Sequence, residues 1–209
     1  WLLRASLPTL DGERAPALAG LEAPATIQRD ALGAVTIDAA SEVDALRALG
    51  FVHAQERYFE MDLMRRSAAG ELAALFGDIA IDTDRKHRMH RMRARVERDM
   101  AAIAGVKRTQ LQAYADGVNA GLGALRVRPW AYLLLRQRPA AWAPQDSLLV
   151  VLSMFFSLQD QDNRRERQLD VAQRRLPPEV FAFIARHGTG WDAPLTGAAL
   201  PDPPVPTAR

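Results

Sequence analysis

Apolar and polar residues alternate between positions 25 and 39, with Ile27 before a turn and Val35 and Ile37 after it. A period of two puts alternate side chains on one face, so the pattern predicts a β-hairpin over 25–39. Asp30-Ala-Leu-Gly33 supplies the turn, and Gly33 is free to take a positive φ. Beyond residue 40 the apolar spacing changes to three and four, the period of helices. The stretch 42–76 is predicted helical and bent or interrupted near Gly50 and Gly70, with Gly77 as a C-cap. Ser41 followed by Asp44 resembles a capping box, with Asp in place of the usual Glu. A helix over 85–104 would carry Met89, Met92, Val96, Met100 and Ile103 on one face and end at Gly105. The next carries Leu111, Val118, Leu122 and Leu125, and Pro129 and Pro139 then mark a connecting region. Asp146 is placed to cap a helix in which nine of the eleven residues from Leu148 to Leu158 are apolar. Spanning a bilayer takes about 20 such residues, so this run predicts a buried helix and no membrane span. Residues 160–175 are strongly polar, and Pro177-Pro178-Glu179 opens a last short helix ended by Gly188.

The ends are irregular. Residues 1–24 are punctuated by Pro8, Gly12, Pro16, Gly20 and Pro24 and read as an extended entry segment. The last ten residues hold four prolines, which excludes helix interior and central strand. The chain starts at Trp1 and shows no signal peptide, so it reads as part of a longer translation product.

Composition narrows the function classes. The 209 residues are 48% hydrophobic and 25% charged, an ordinary globular balance. Basic and acidic residues number 27 and 25, a net charge of +2 that speaks against a chain built around nucleic acid. Cysteine is absent, which removes disulfides, thiolate metal sites and a cysteine nucleophile. His87 and His90 lie one helical turn apart but inside Arg85-Lys-His-Arg-Met-His-Arg91, so a solvated basic helix face is favoured over a metal clip. His53, three residues before Glu56, reads as a packed or capping histidine. Neither a Walker pattern, a dinucleotide fingerprint nor a Gly-x-Ser-x-Gly elbow is present.

Four ordered segments carry a resemblance. They are Arg29-Asp-Ala-Leu-Gly-Ala-Val-Thr-Ile-Asp-Ala39; Gly50-Phe-Val-His-Ala-Gln-Glu-Arg57 continuing to Arg66 and Ala69-Gly-Glu-Leu-Ala73; Tyr114-Ala-Asp-Gly-Val-Asn-Ala-Gly121; and Arg138-Pro-Ala-Ala-Trp-Ala-Pro-Gln-Asp146. Together they resemble the penicillin acylase family of N-terminal nucleophile hydrolases over roughly residues 20–160. One departure is Ala34-Val35-Thr36, where many relatives carry Val-Pro-His.

The resemblance implies an α+β fold. This chain, residues 1–209, would be the mostly α-helical α chain with a short N-terminal β-hairpin. It would complete an αββα fold together with a larger β chain cut from the same precursor. The β chain would carry an N-terminal serine nucleophile, so this chain would hold no catalytic group and need no cofactor for chemistry. Its expected part is the acyl pocket, lined by Met154, Phe155, Phe156 and Leu158. A structural calcium would take Glu166; Asp160, Asp162 and the nearby arginines could instead form an ion-pair network. The expected location is periplasmic or secreted, with the signal peptide removed. The expected activity is deacylation of N-acyl-homoserine lactones, a quorum-quenching reaction, with penicillin or cephalosporin deacylation as the alternative. A non-enzymatic helical module that docks a partner through 85–98 is the alternative from another class.

Overall fold

The computed structural model describes residues 2–12, 18–158 and 163–207. It is mostly helical, with one two-stranded antiparallel sheet, as the α+β expectation requires. After a short helix α1 (Leu2–Ala5) come β1 (Thr26–Arg29) and β2 (Val35–Asp38). They pair Ile27 with Ile37 and Arg29 with Val35. Gly33 takes φ 82 in the turn, and the Asp30 carboxylate accepts from the Leu32 and Ala34 amides at 2.9 and 2.8 Å. Ile27 and Ile37 share one face of the hairpin and pack toward Leu18, Ala48 and Phe51.

The long helix α2 (Glu42–Ala69) is the central element of the first of two compact units, Trp1–Phe156. Ser41 caps it, its hydroxyl accepting from the Asp44 amide at 3.1 Å. Asp44 is fully buried and accepts from the Glu22 amide at 3.0 Å, so it ties down the entry segment. The helix bends at Arg57 (φ −143, ψ 26), seven residues beyond the expected break at Gly50. Gly50 does something else. Helix α6 (Arg108–Gly123) packs along α2 so closely that a Cβ at Gly50, Gly117 or Gly121 would overlap the backbone of the opposite helix. Two helices reach such separations only where side chains are missing from the seam.

Gly70, with φ 70, ends α2 in the left-handed conformation. Helix α3 (Ala73–Phe76) and a 3₁₀ turn (Gly77–Ala80) follow. The single helix expected over 85–104 is two: α4 (Ile81–Arg88) and α5 (Met92–Ala104), separated by Arg91 at φ 53. The break changes the helical phase, so Met89 is exposed while Val96 is buried. After α6, the short helix α7 (Trp130–Leu134) occupies the expected connecting region and buries Tyr132. Helix α8 (Pro144–Leu158) buries only one face, formed by Asp146, Leu149, Ser153 and Phe156. Its apolar sequence had predicted complete burial.

The second unit, Ser157–Arg209, holds α9 (Arg164–Arg175) and α10 (Pro178–Ile184). Helix α9 lay unrecognised in the polar stretch because its apolar stripe is narrow, with Leu169 and Ala172 half-buried among arginines; it fully buries none of its residues. Pro178 opens α10, which ends at Ile184, earlier than Gly188.

Candidate functional site

Two features demand an account: a buried cluster of charges in the first unit and an exposed apolar face of α8. The charges centre on Arg65, which is 4% exposed. Its Nε donates to Asp62 Oδ1 at 2.7 Å and its Nη1 to Asp146 Oδ2. Nη1 also donates to the Ala141 carbonyl at 3.0 Å, and Nη2 to the Tyr58 hydroxyl at 3.1 Å. The guanidinium lies over the Trp142 ring, 4.8 Å from its centroid. Asp62 also pairs with Arg66 at 2.9 Å and accepts from the Tyr132 hydroxyl. Asp146 takes further bonds from Arg93 Nη1 at 3.2 Å and from the Ala143 amide at 2.8 Å. Arg93 is clamped in turn by Glu71, at 2.6 and 2.8 Å.

The phenols here stay neutral donors. Burial pushes Tyr58 up to about 12, only partly offset by Arg65. Tyr132 is raised by burial first and by its bond to Asp62 second. Tyr58 donates to the Ala140 carbonyl. Each carboxylate is saturated by arginine and by backbone or phenol donors. An acid or base with its lone pairs so engaged is held for structure, not poised to exchange a proton with a substrate.

The four quoted segments meet at these contacts. Arg29 of the hairpin grips Glu56 of α2, with Nη2–Oε1 at 2.6 Å. Arg47 pairs with Asp116 across the α2–α6 seam at 3.0 Å, and His53 Nδ1 lies 2.9 Å from the Tyr114 hydroxyl. His53 has its pKa lowered, by burial and then by Arg57, so it is a packed neutral ring, as the sequence reading held. Asn119 exchanges two 2.8 Å bonds with the Trp142 backbone. Asp84 accepts from the Leu72 and Ala73 amides at 2.8 and 2.7 Å and so holds the start of α3.

The apolar face lies on α8. Val151, Met154, Phe155 and Leu158 recur at steps of three, one and three, which places them on one side. They are 63%, 54%, 44% and 75% exposed. Phe156, grouped with them in the sequence reading, points the other way. It is 3% exposed and packs with Ala68, Ala69, Val96 and Leu149. Its aromatic ring also stacks on His87, which corrects the view of His87 as a solvated basic residue: it is 5% exposed. Its basic neighbours hid this: Arg85, Lys86 and Arg88 are exposed while His87 faces inward.

Glu166 lies exposed in the first turn of α9, between Arg164, Arg165 and Arg167. Asp160 and Asp162 fall outside the described residues. Among the described residues no three acidic or histidine side chains converge as a metal site would need. Glu166 alone, beside three arginines, does not fit calcium without oxygens from elsewhere. The described residues also contain no helix long and apolar enough to cross a membrane.

Known proteins share this framework. The Penicillin amidase family model matches residues 24–192. Penicillin acylase 2 proenzyme of Pseudomonas sp. (strain SE83) is 42% identical over 149 residues, 71% of this chain and 19% of that protein. Acyl-homoserine lactone acylase QuiP of Pseudomonas putida is 36% identical over 141 residues, 67% of this chain and 17% of its own length. The chain thus spans about a fifth of the length of these curated relatives. Among solved structures, the thermostable penicillin G acylase from Alcaligenes faecalis shares the fold at a TM-score of 0.64 and 24% identity. That match covers 87% of this chain and 98% of the solved one.

Proposed function

The chain belongs to the penicillin amidase family, and from that premise we propose that it is the α chain of a two-chain amidohydrolase that removes an acyl group from an amide nitrogen. The observation that carries this reading is the exposed face of α8. Its opposite face is fixed in the core, and Val151, Met154, Phe155 and Leu158 form an apolar wall that water covers only at a cost. A second chain laid against this side would enclose a cavity for an acyl tail. Two comparisons support it: the match to the penicillin acylase 2 proenzyme takes up 19% of that protein's length, and a solved chain of this fold is matched over 98% of its own.

The reaction chemistry belongs, on this proposal, to the partner chain. Its N-terminal serine attacks the amide carbonyl after its own α-amine takes the hydroxyl proton; a free α-amine titrates at about 7.7–8.0, near working pH. Fixed donors stabilise the oxyanion. This chain supplies the acyl wall, Met154, Phe155 and Leu158, with Phe156 as the packing behind it. Calcium at Glu166 belongs to the proposal only with the remaining oxygen ligands drawn from the partner. The protein is periplasmic or secreted.

N-acyl-homoserine lactones are the favoured substrates, because unbranched Met154 and flat Phe155 conform to a flexible aliphatic chain. Penicillin deacylation is the second reading, favoured by the 42% identity to penicillin acylase 2. The test uses the assembled two-chain enzyme. Leu158→Trp is expected to lower the long-to-short acyl ratio of kcat/KM by about tenfold, room for roughly two methylenes. Equal loss on every substrate would remove the acyl-wall assignment. Absence of a partner chain from the native particle by mass spectrometry would remove the two-chain reading.

A further inference from the structure

An apolar helix that offers greasy side chains on both sides has little in its own sequence to fix its rotation. In α8 Asp146 and Leu149 anchor the first half, and a ring cluster holds the second. His87 Nδ1 lies 2.5 Å from the Ser67 carbonyl oxygen in the last turn of α2, so Nδ1 carries the proton and ties the imidazole to that helix. The imidazole lies parallel to the Phe156 ring, with centroids 4.4 Å apart and planes 3° apart. His90 meets the same ring edge-on at 4.9 Å. On the outward side the Phe155 ring stands at 72° to Phe156, 5.7 Å away. A flat side chain held against one ring and edged by two others has little freedom to rotate.

The geometry points to His87, assisted by His90, as the residue that positions the acyl wall. Through Phe156 the two imidazoles set how far Phe155 and Met154 stand out from α8, and thereby how deep an acyl chain reaches. Neither histidine touches the substrate; both act through Phe156. This inference rests on the reading of α8 as the acyl wall. Loss of the His87 ring opens space behind Phe156. The phenyl ring then settles inward, Phe155 follows, and the wall recedes.

The test is the ratio of kcat/KM for a long-chain over a short-chain N-acyl-homoserine lactone, measured on the assembled two-chain enzyme. His87→Ala is expected to raise that ratio by about fourfold for each additional methylene admitted. His87→Phe keeps a flat ring against Phe156 and is expected to return the ratio to the parent value. His90→Ala, losing an edge contact only, is expected to shift it less. Met89→Ala, on an exposed side chain of the same stretch, leaves it unchanged. Where His87→Ala fails to assemble, His87→Leu fills the volume without the flat face and is read the same way. An unchanged ratio in the His87 variants, alongside a changed one in Phe155→Ala, overturns the positioning role and leaves the wall intact. An unchanged ratio in both overturns the wall and the role together.

Discussion

Replacing Asp146 with alanine separates a structural role for the buried charges from a chemical one. Asp146 is 2% exposed and accepts from Arg65, Arg93 and the Ala143 amide. Arg93 keeps its two bonds to Glu71 and loses little. Arg65 is different: at 4% exposure it is left with Asp62, which Arg66 already shares. Removing one partner of a buried pair costs about 3–5 kcal/mol, and an orphaned buried amide adds about 1–3 kcal/mol where water does not reach it. A loss of about 4 kcal/mol or more is therefore expected, a large part of the 5–15 kcal/mol typical of a folded domain. Asp146→Asn keeps an acceptor for Ala143 without the charge and should fall in between. Arg65→Lys should cost nearly as much as Asp146→Ala, because one ammonium cannot reach both carboxylates, the Tyr58 hydroxyl and the Ala141 carbonyl at once. Asp170→Ala, which removes an exposed partner of Arg174, is the control, worth about 0–1 kcal/mol. Urea unfolding of the protein, followed by far-ultraviolet circular dichroism, measures all four. Equal midpoints for Asp146→Ala and Asp170→Ala would refute the structural reading. So would an Asp146→Asn enzyme of parent stability that has lost acyl transfer.

Gly117→Ala drives a Cβ into the Arg47 backbone across the α2–α6 seam and should lower stability by about 3 kcal/mol or more. Gly33→Ala meets nothing within 4 Å and bears only the cost of φ 82, about 1 kcal/mol, so the two melting shifts should differ clearly. His53 is held below its ordinary 6.5 by burial, so folding favours its neutral form. That contribution is present above pH 6.5 and fades as pH falls through the lowered folded value; His53→Gln should flatten the acid limb of a stability–pH curve. At the alkaline end the sign is reversed. Tyr58 and Tyr114 move from 10.0 to about 12, so their contribution is intact below pH 10.0 and is lost as pH climbs toward about 12.

The hairpin was legible because its signals are local. Alternation, an Asp at the start of the turn and a glycine at its end all lie within a few residues, and each is met in the turn bonds of Asp30 and Gly33. The breaks in the helices were not. Arg57 and Arg91 leave the helical region at ordinary residues, where no proline or glycine announces it. Gly50, which looked like a breaker, sits inside a helix because a partner backbone needs its missing side chain. That reason lies 64 residues away at Tyr114 and is invisible to a local window. The same limit hid Phe156. An all-apolar run names the helix but not its phase; Phe156 lies on the buried side with Leu149, against His87, a residue whose own surroundings looked solvated. Helix α9 escaped for the opposite reason, since its short stripe of Leu169 and Ala172 is outnumbered by charged neighbours.

The residues that carry the resemblance turn out to grip one another. Arg29 holds Glu56, Asn119 holds Trp142, Arg65 joins Asp62 to Asp146, and Gly117 admits the backbone at Arg47. Such contacts tolerate little change, because a truncated partner leaves a buried charge or an overlapping atom. The outward face of α8 is under no such restraint from this chain: Val151, Met154, Phe155 and Leu158 touch the core least. Substitution there costs the fold little and alters what the face presents. A frame that is fixed by buried pairs, with one apolar face left open, can therefore serve acylases of different substrate range without changing its own architecture. If α8 is the acyl wall, as proposed, its exposed side and the rings packed behind it are where relatives of one fold should differ in the acyl group they accept.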